Sequence, residues 1–520
     1  MLPPTAESNR RRQRGTLMRQ SRDRILTSHA GSLPRPDDLI EANQSREAGT
    51  VTDEPGFSAR LGSAVADVVR RQREAGIDVP GDGEYGKAMG HRVNYRAWWS
   101  YSFQRLGGLE LGTQGLYDVP PTRSSPGNVV LTSFGDRRDR LRFATAYADP
   151  ESGITTGPRP PRWPVCVGPL TYIGQEAIRA DAQHLKAALA AAGVEEGFMT
   201  SIAPGSASRI ANRHYRTDEE FLFACADAMR EEYRAIVDAG LILQLDDPAI
   251  AENWDMVNPE PTVEDYRRFS MVRVEALNHA IRGLPEDRIR FHLCWGSWHG
   301  PHTTDVPMRD IVNVMLAIKC GAYSFEAANV RHEHEWKVWH DVKLPDGKII
   351  LPGIVSHATN VVEHPELVAE RIARFAGAVG RERVIASTDC GLGGRVHPQI
   401  AWAKLESLAQ GAALATRQLW SSGASSARRA ARAAPARSQP RTGGSSTMAK
   451  SKKASARVTA ANREQAAAAN VAKSVTRGTA MKTSAAKQTA GKQFDKARGK
   501  AIQAHVQARG QRQQAKRDSR

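Results

Sequence analysis

The chain has 520 residues with 73 Lys and Arg against 56 Asp and Glu, and its 17 surplus positive charges are concentrated at the two ends. Residues 1–22 carry a net charge of +5 and residues 421–520 a net charge of +20, whereas residues 23–420 carry −8. No run approaches the ~18 apolar residues of a membrane span and no apolar signal core follows the Arg-rich start, which argues against a membrane protein and predicts a cytoplasmic one.

The central part of the sequence alternates short apolar runs with longer helical patterns, as βα units do. Residues 1–22, before it, are predicted to be a disordered basic arm. The predicted strands are Ile25–Ser28, Ile77–Pro80, Val165–Val167, Phe198–Ile202, Leu241–Leu245, Arg290–Leu293, Ala322–Phe325, Ile349–Val355 and Val384–Ala386. The predicted helices are Leu61–Ala75, Gln175–Ala192, Asp218–Asp238, Val263–Ile281, Arg309–Lys319, Pro365–Ala378 and Ile400–Arg417.

This order predicts an α/β fold, a (β/α)8 TIM-type barrel over residues 23–420 with one of the nine strands extra. A doubly wound sheet is the alternative, but no Gly-rich phosphate turn follows the first strand. Residues 85–164 are long for a βα connection and rich in aromatic residues and Arg. We therefore expect an insertion with a hairpin after an early strand, placed where it can roof an active site.

The last hundred residues differ from the rest in composition. Residues 421–520 are dominated by Ala, Ser, Arg, Lys, Gln and Gly, with Phe494 as the one aromatic residue. Such a segment cannot bury enough apolar surface to fold alone, so we predict a disordered tail. Its charge predicts weak, non-specific nucleic-acid binding, a function of another class. A solubilising, fused or read-through extension that starts near Met448 is the alternative.

The cysteines and the strand ends point to metal chemistry. Five widely spaced cysteines in a large intracellular chain argue against a disulfide framework. His292 and Cys294 lie two residues apart and project from the same face of a strand. Glu326 ends the next predicted strand, and Cys390 follows the last one. Such an N, S and O set suits Zn²⁺, the alternative being a buried thiol beside a core histidine.

Other polar motifs have two interpretations each. Asp246 and Asp247 are adjacent on a strand, so one carboxylate can face a pocket while the other caps the following segment. Glu84 is either a binding residue or a solvated loop acid, and His357 is either an acid or a core histidine. The period-two cluster Arg331–Glu335 is typical of a solvated loop, with a second metal site as the alternative.

Taken together, these motifs resemble the catalytic barrel of the cobalamin-independent methionine synthase family, over about residues 24–420. The motifs that carry the resemblance, in chain order, are Thr27-Ser28-His29-Ala30-Gly31-Ser32-Leu33-Pro34, Gly83-Glu84, Gln244-Leu245-Asp246-Asp247-Pro248-Ala249, His292-Leu293-Cys294, Phe325-Glu326, Ser356-His357-Ala358-Thr359-Asn360 and Asp389-Cys390-Gly391-Leu392.

The resemblance implies a zinc-dependent S-methyltransferase, in which zinc activates a thiol as the thiolate. The zinc ligands it implies are His292, Cys294, Glu326 and Cys390. Four protein ligands are typical of a closed structural site, so one ligand has to yield to substrate, and we expect it to be Glu326.

The same resemblance implies a substrate site. Gly31 and Ser32 bind the thiol substrate, and Glu84 and Asp246 receive its ammonium group. The catalytic residues it implies are Asp246 and His357, of which His357 is the proton donor. The substrates implied are homocysteine and a folate-like methyl donor such as 5-methyltetrahydrofolate.

Two departures leave the substrates open. The full-length synthase has an N-terminal barrel that helps to hold its folate, and this chain has none, which puts the donor in doubt. The chain also resembles epoxyalkane:coenzyme M transferases, whose sulfonate thiol would need cationic groups in place of Glu84 and Asp246. Retention of both acids favours an amino-acid thiol.

Overall fold

The computed structural model describes residues 18–47, 54–87, 97–115, 117–154 and 162–433. They belong to one unit of the chain, Met1–Ala434. Residues 1–17 of the predicted arm and residues 434–520 of the predicted tail lie outside the described residues. Within the arm, the Ser21 hydroxyl donates a hydrogen bond of 2.5 Å to the carbonyl of Val384.

The core of the fold is a curled parallel sheet. Seven strands pair in the order β1-β10-β9-β8-β7-β6-β4, and all of the pairs are parallel. The strands of the chain are β1 (Leu26–Thr27), β2 (Leu106–Leu111), β3 (Pro164–Tyr172), β4 (Phe198–Ile202), β5 (Ala211–Asn212), β6 (Ile242–Asp246), β7 (Ile289–Leu293), β8 (Ala322–Phe325), β9 (Ile349–Val355) and β10 (Ile385–Thr388).

Residues 77–81 fill the gap between β1 and β4. The amides of Asp78 and Val79 both donate to the carbonyl of Thr27. On the other side, the Phe198 amide donates to Pro80, and Gly81 forms a parallel bridge to Phe198. The segment thus occupies the eighth position, and the predicted (β/α)8 barrel is confirmed.

The extra strand of the prediction is β3, which lies outside the barrel. It forms a three-stranded sheet in the order β2-β3-β5, and its antiparallel pairing with β2 is the hairpin of the insertion. Val165 is buried whereas Val167 is 39% exposed. This strand is therefore partly exposed along its length, whereas the barrel strands β4, β6 and β7 are buried at every residue.

Amphipathic helices surround the barrel, and no helix of the described ranges could cross a membrane. The α-helices are α1 (Asp37–Glu47), α2 (Glu54–Glu74), α3 (Ala97–Ser100), α4 (Arg138–Arg142), α5 (Ala144–Ala148), α6 (Gln175–Ala191), α7 (Pro204–Ala207), α8 (Asp218–Asp238), α9 (Ala249–Glu252), α10 (Val263–Ala280), α11 (Met308–Leu316), α12 (Val338–Asp341), α13 (Pro365–Val379) and α14 (Pro398–Ala433). Short 3₁₀ helices span Tyr101–Gln104, Phe134–Asp136, Glu286–Arg288, Glu333–Lys337 and Arg381–Arg383.

Hydroxyl side chains determine where one of these helices begins and how the last helix contacts the first strand. The Thr217 hydroxyl accepts the amide of Glu220 and caps α8, which is what a threonine at this position does. At the end of the described chain, the Thr416 hydroxyl of α14 accepts the amide of Ile25 at 3.0 Å, directly before β1. The last helix therefore holds the first strand in place.

Candidate active site

The carboxyl ends of the barrel strands open into a cavity of about 110 Å³. Loops at this end of a TIM barrel carry the active sites of such enzymes. Side chains from the strand-end motifs line its floor, and side chains from the insertion and from the loop after β7 line its roof. The floor includes Ser32, Glu84, Asp246, His292, Cys294 and Cys390, and the roof includes Trp98, Trp99, Phe134, Arg137, Tyr147 and Trp298.

Three of the predicted metal ligands meet at the floor. The ligand atoms of His292, Cys294 and Cys390 all lie within 4.8 Å of one another, and the two sulfur atoms are 4.0 Å apart. His292 Nδ1 lies 3.0 Å from the hydroxyl of Ser324, which orients the ring. His292 Nε2 is buried and has no hydrogen-bond partner within the described part of the chain.

Glu326 lies in a neighbouring cluster. Its Oε1 accepts the amide of Trp295 at 2.9 Å, and its Oε2 accepts the Asn329 side chain at 2.6 Å. Its carboxyl group lies within 4.8 Å of ligand atoms of His357 and Asp389. Burial and the charge of Asp389 raise the pKa of Glu326 to about 8. The structure therefore groups three of the four predicted ligands and places Glu326 beside them.

The three grouped residues fit a zinc ion. Zn²⁺ binds His nitrogen and Cys sulfur in tetrahedral sites, and a catalytic site keeps three protein ligands and one open position. The buried Nε2 of His292 is costly without a partner, and a metal ion would satisfy it. Its other ring nitrogen contacts a hydroxyl, as a ligating histidine needs in order to fix its tautomer.

His357, the predicted proton donor, is buried beside Glu326. Its Nδ1 has no hydrogen-bond partner among the described residues. Burial lowers the pKa of His357 to about 3, so the ring is neutral at physiological pH. A neutral imidazole carries one N–H and one free lone pair, so it can pass on a proton but holds no extra one.

Gly31 and Ser32 form the edge of the cavity after β1. Gly31 has a φ of +129°, and a Cβ built there would lie 2.8 Å from Thr200 Cγ2 and 2.9 Å from Glu84 Oε1. A side chain at this position would collide with the pocket, so only glycine fits. The Ser32 carbonyl accepts the amides of Leu392 and Gly393, which joins this loop to the turn after Cys390.

Glu84 is buried, and it is bound to a lysine that the sequence analysis missed. Its Oε1 accepts the Thr200 hydroxyl at 2.7 Å and the Lys87 ammonium at 3.3 Å. Lys87 also donates to Thr200 Oγ1 at 2.6 Å. The spacing of three residues between Glu84 and Lys87 was the available signal, but Thr200 lies on β4, more than a hundred residues away.

A hydrogen-bonded relay fixes Asp246. Buried Arg290 donates to Gln244 Oε1 at 2.7 Å. Arginine is only a donor, so the Gln244 amide has one possible orientation, and its Nε2 donates to Asp246 Oδ1 at 2.7 Å and to the Ala30 carbonyl at 2.8 Å. Burial raises the pKa of Asp246 to about 7. The relay therefore couples Asp246 to the loop that carries Gly31.

Asp247 points away from this pocket. Its Oδ1 accepts the Ser206 hydroxyl at 2.7 Å and the Ala249 amide at 3.3 Å, at the start of α9. Burial raises the pKa of Asp247 to about 6. The two adjacent carboxylates thus occupy different environments, one in the cavity wall and one at a helix start.

The roof combines aromatic rings with arginines, the composition from which the sequence analysis expected residues 85–164 to roof a site. The Arg137 guanidinium lies 3.9 Å from the centre of the Trp298 ring and donates to Glu252 at 2.8 Å and to Asp255 at 2.7 Å. The Trp298 indole N–H donates to the Tyr147 hydroxyl at 2.8 Å. Part of the insertion and the loop after β7 therefore meet over the cavity.

The cluster Arg331–Glu335 forms ion pairs. The His332 ring nitrogens lie 3.1 Å from Asp305 and 2.9 Å from Glu335, and Glu333 pairs with Arg371 at 3.0 Å. Burial alone would lower the pKa of His332, but its bonds to Asp305 and Glu335 outweigh this and raise it to about 10. His332 is therefore a buried imidazolium, and its ring stacks on Trp295 at 4.0 Å.

We expect His332→Leu to lower the free energy of unfolding by about 3 kcal/mol, because it leaves buried carboxylates without their cation. The folded-state pKa lies above the ordinary value of 6.5, so this stabilisation is complete below pH 6.5 and is lost as the pH rises through about 10. Chemical denaturation at pH 6 and pH 10 measures both effects. His334→Leu, at an exposed position of the same cluster, is the control. A deficit equal at the two pH values would contradict the charge assignment.

Comparisons with known proteins identify the family of this chain. The family described as "Cobalamin-independent synthase, Catalytic domain" matches residues 133–413. The methionine synthase of Thermococcus kodakarensis is 23% identical over 398 residues, which cover 76% of this chain and 94% of that protein. The methionine synthase of Sulfolobus acidocaldarius is 24% identical over 402 residues, which cover 76% and 93%.

A solved structure shares the fold. The B12-independent methionine synthase from Shewanella sp. W3-18-1, solved in complex with selenomethionine, superposes with a TM-score of 0.55 at 18% identity and covers 76% of this chain and 99% of that one. The family match spans more than half of the chain and includes β4 and β6–β10 with the three grouped metal-ligand candidates. The chain therefore belongs to the cobalamin-independent methionine synthase family.

Proposed function

We propose that this chain is a zinc-dependent S-methyltransferase that transfers a methyl group from a methyl donor to the thiol of homocysteine and so forms methionine. The observation that carries the proposal is the group of His292, Cys294 and Cys390 at the carboxyl end of the barrel, with one imidazole nitrogen left for a ligand. The family membership and the curated methionine synthases among its relatives support the same reaction.

Zinc bound by these three residues would supply the acidity that turns a thiol of ordinary pKa about 8.5 into a thiolate at neutral pH. Glu326 belongs to the neighbouring cluster with His357 and Asp389, and it would have to move towards the three residues to serve as a further ligand in the absence of substrate. Both of its oxygens already accept hydrogen bonds from Trp295 and Asn329, so it has partners when it is not a ligand.

The residues around the group hold the rest of the amino-acid substrate. Asp246 and Glu84 line the cavity and receive the substrate's ammonium group. Gly31 and Ser32 leave room for its carboxylate, because Gly31 has no side chain to fill the space beside Glu84. His357 passes a proton at the edge of the site. Residues 23–420 form the catalytic unit in this proposal.

The methyl donor binds under the roof. Trp98, Trp99 and Trp298 give flat apolar surfaces, and Arg137 adds a cation beside them. Such a lining fits a planar donor, such as a methylated folate, whereas the charge of Arg137 is already balanced by Glu252 and Asp255. The roof comes from residues of this chain, so the cavity has two sides, a thiol side at the barrel floor and a donor side above it.

The test is the metal content of the full-length protein by elemental analysis, followed by X-ray absorption at the zinc edge before and after homocysteine is added. We expect one zinc per chain that gains a sulfur neighbour when the thiol binds. A protein without zinc, or zinc whose sulfur coordination does not respond to homocysteine, would overturn the proposal. Cysteine in place of homocysteine serves as the control for non-specific thiol binding.

A further inference from the structure

Lys87 is a buried cation at the thiol side of the cavity. It is 5% exposed, and its ammonium contacts Glu84 Oε1 and Thr200 Oγ1. The Tyr101 ring lies 4.5 Å from the same nitrogen, a cation–π contact that holds it further. Lys87 does not line the cavity, whereas Glu84 does. Lys87 therefore acts on a bound thiol through its charge and through its contact with Glu84, without touching the thiol.

The turn that carries both residues is held rigidly. Glu84 has a φ of +62°, a left-handed conformation that is costly for a residue with a side chain. The buried Arg35 guanidinium donates to the carbonyls of both Glu84 and Lys87 and closes the turn. Glu84 and Lys87 are thus fixed beside each other rather than free to separate when a substrate enters.

The ion pair between Lys87 and Glu84 makes the pocket less negative than its two acids would be alone. A buried carboxylate attracts a substrate's ammonium strongly only while its own charge is not balanced. Lys87 balances Glu84, and Asp246 is then the acid on the cavity floor that has no cation hydrogen-bonded to it among the described residues. We infer that Lys87 is a positioning residue that neutralises Glu84. Of the two acids, Asp246 alone then attracts the substrate's ammonium by charge, so a thiol without that group loses no more than about one charged contact.

The inference rests on the proposed thiol site, and it adds a substrate class. Homocysteine carries a thiol, an ammonium and a carboxylate. 4-Mercaptobutyrate has the same chain without the ammonium, and 3-aminopropanethiol has it without the carboxylate. These three thiols differ only in head-group charge, so their dissociation constants report the charge of the pocket. We expect homocysteine and 4-mercaptobutyrate to bind the wild-type protein within about tenfold of each other, a difference of no more than about one charged contact.

Two substitutions shift this balance in opposite directions. Lys87→Met leaves Glu84 with its full charge, so 3-aminopropanethiol should bind about tenfold more tightly and 4-mercaptobutyrate about tenfold more weakly. Glu84→Gln leaves Lys87 without its counter-charge, so 4-mercaptobutyrate should bind about tenfold more tightly than it does to wild type. Lys87→Arg keeps the cation and should restore the wild-type ratio.

Calorimetric titration of the full-length, metal-loaded protein with each thiol measures these constants without turnover. Lys343→Met is the matched control at a side chain that is 82% exposed. The inference is overturned if Glu84→Gln leaves 4-mercaptobutyrate binding unchanged, or if Lys87→Met weakens all three thiols equally. Should Lys87→Met fail to fold, Glu84→Gln alone decides. If wild type binds none of the thiols, the proposed function fails as well, whereas binding of homocysteine without these shifts overturns only the role of Lys87.

Discussion

Replacing Cys390 by serine is expected to lower zinc affinity more than about 100-fold, because the loss of a partner outside the ligand shell already costs about 10- to 100-fold. The Sγ atom of Cys390 lies 4.0 Å from the Sγ atom of Cys294. A serine hydroxyl stays protonated where a thiol ionises, so the variant offers no thiolate to the ion. Methyl transfer should fall together with zinc content. Elemental analysis of the dialysed protein and single-turnover methylation of homocysteine measure the two losses.

Cys320→Ser is the matched control for this variant. Cys320 is as deeply buried as Cys294, but its thiol donates to the backbone carbonyl of Ala322 at 3.2 Å, a bond that a serine hydroxyl can also make. We expect this control to keep full zinc content and activity. Stoichiometric zinc in the dialysed Cys390→Ser protein would remove Cys390 from the ligand set.

Asp246→Asn is expected to keep the metal and to weaken homocysteine binding about 10- to 100-fold, which is what a lost hydrogen bond to a charged group is worth. Gln244 Nε2 donates to Asp246, so the asparagine would turn its amide oxygen to Gln244 and present an N–H to the substrate's ammonium. The loss should appear in KM for homocysteine more than in kcat. Steady-state kinetics with zinc content measured on the same sample separate the two effects.

Asp247→Asn is the adjacent control, since Asp247 bonds to Ser206 and Ala249 rather than to the cavity. We expect it to lower the melting temperature and to leave KM for homocysteine within about twofold, the range of a change outside the site. If Asp246→Asn and Asp247→Asn changed KM alike, the assignment of Asp246 to the substrate's ammonium would be wrong.

Most of the barrel could be predicted because its strands are short, mainly apolar runs separated by longer helical patterns. Phe198–Ile202 was predicted with its observed bounds, and the run predicted at Arg290–Leu293 lies within β7. The extra strand at Val165–Val167 has the same local composition as a barrel strand. Which sheet it joins depends on its pairing with β2, and that contact lies more than fifty residues back along the chain. Local pattern carries no information about such a partner.

The site residues that could be predicted are those at strand ends whose side chains are of a type that binds metal ions. His292, Cys294 and Cys390 belong to this group, because parallel strands bring their carboxyl ends together. The roof was predicted as an insertion, but Lys87 and the contact between Arg137 and Trp298 were missed because they depend on residues far away in the sequence. The position of Glu326 depends on the backbone amide of Trp295, a donor that every residue other than proline carries and that no motif marks.

The closure of the barrel has a consequence for the order in which the molecule can be made. β1 pairs with β10, so Leu26 has no strand partner until Ile385 has been synthesised. The amide of Ile25 likewise has no acceptor until Thr416 on α14 has been synthesised. During translation the first strand leaves the ribosome long before its partner exists, and until then its edge is open to other chains. A nascent chain stalled before residue 385 would therefore expose that edge, and protection of the amino-terminal strand against proteolysis should appear only when synthesis has passed the last helix.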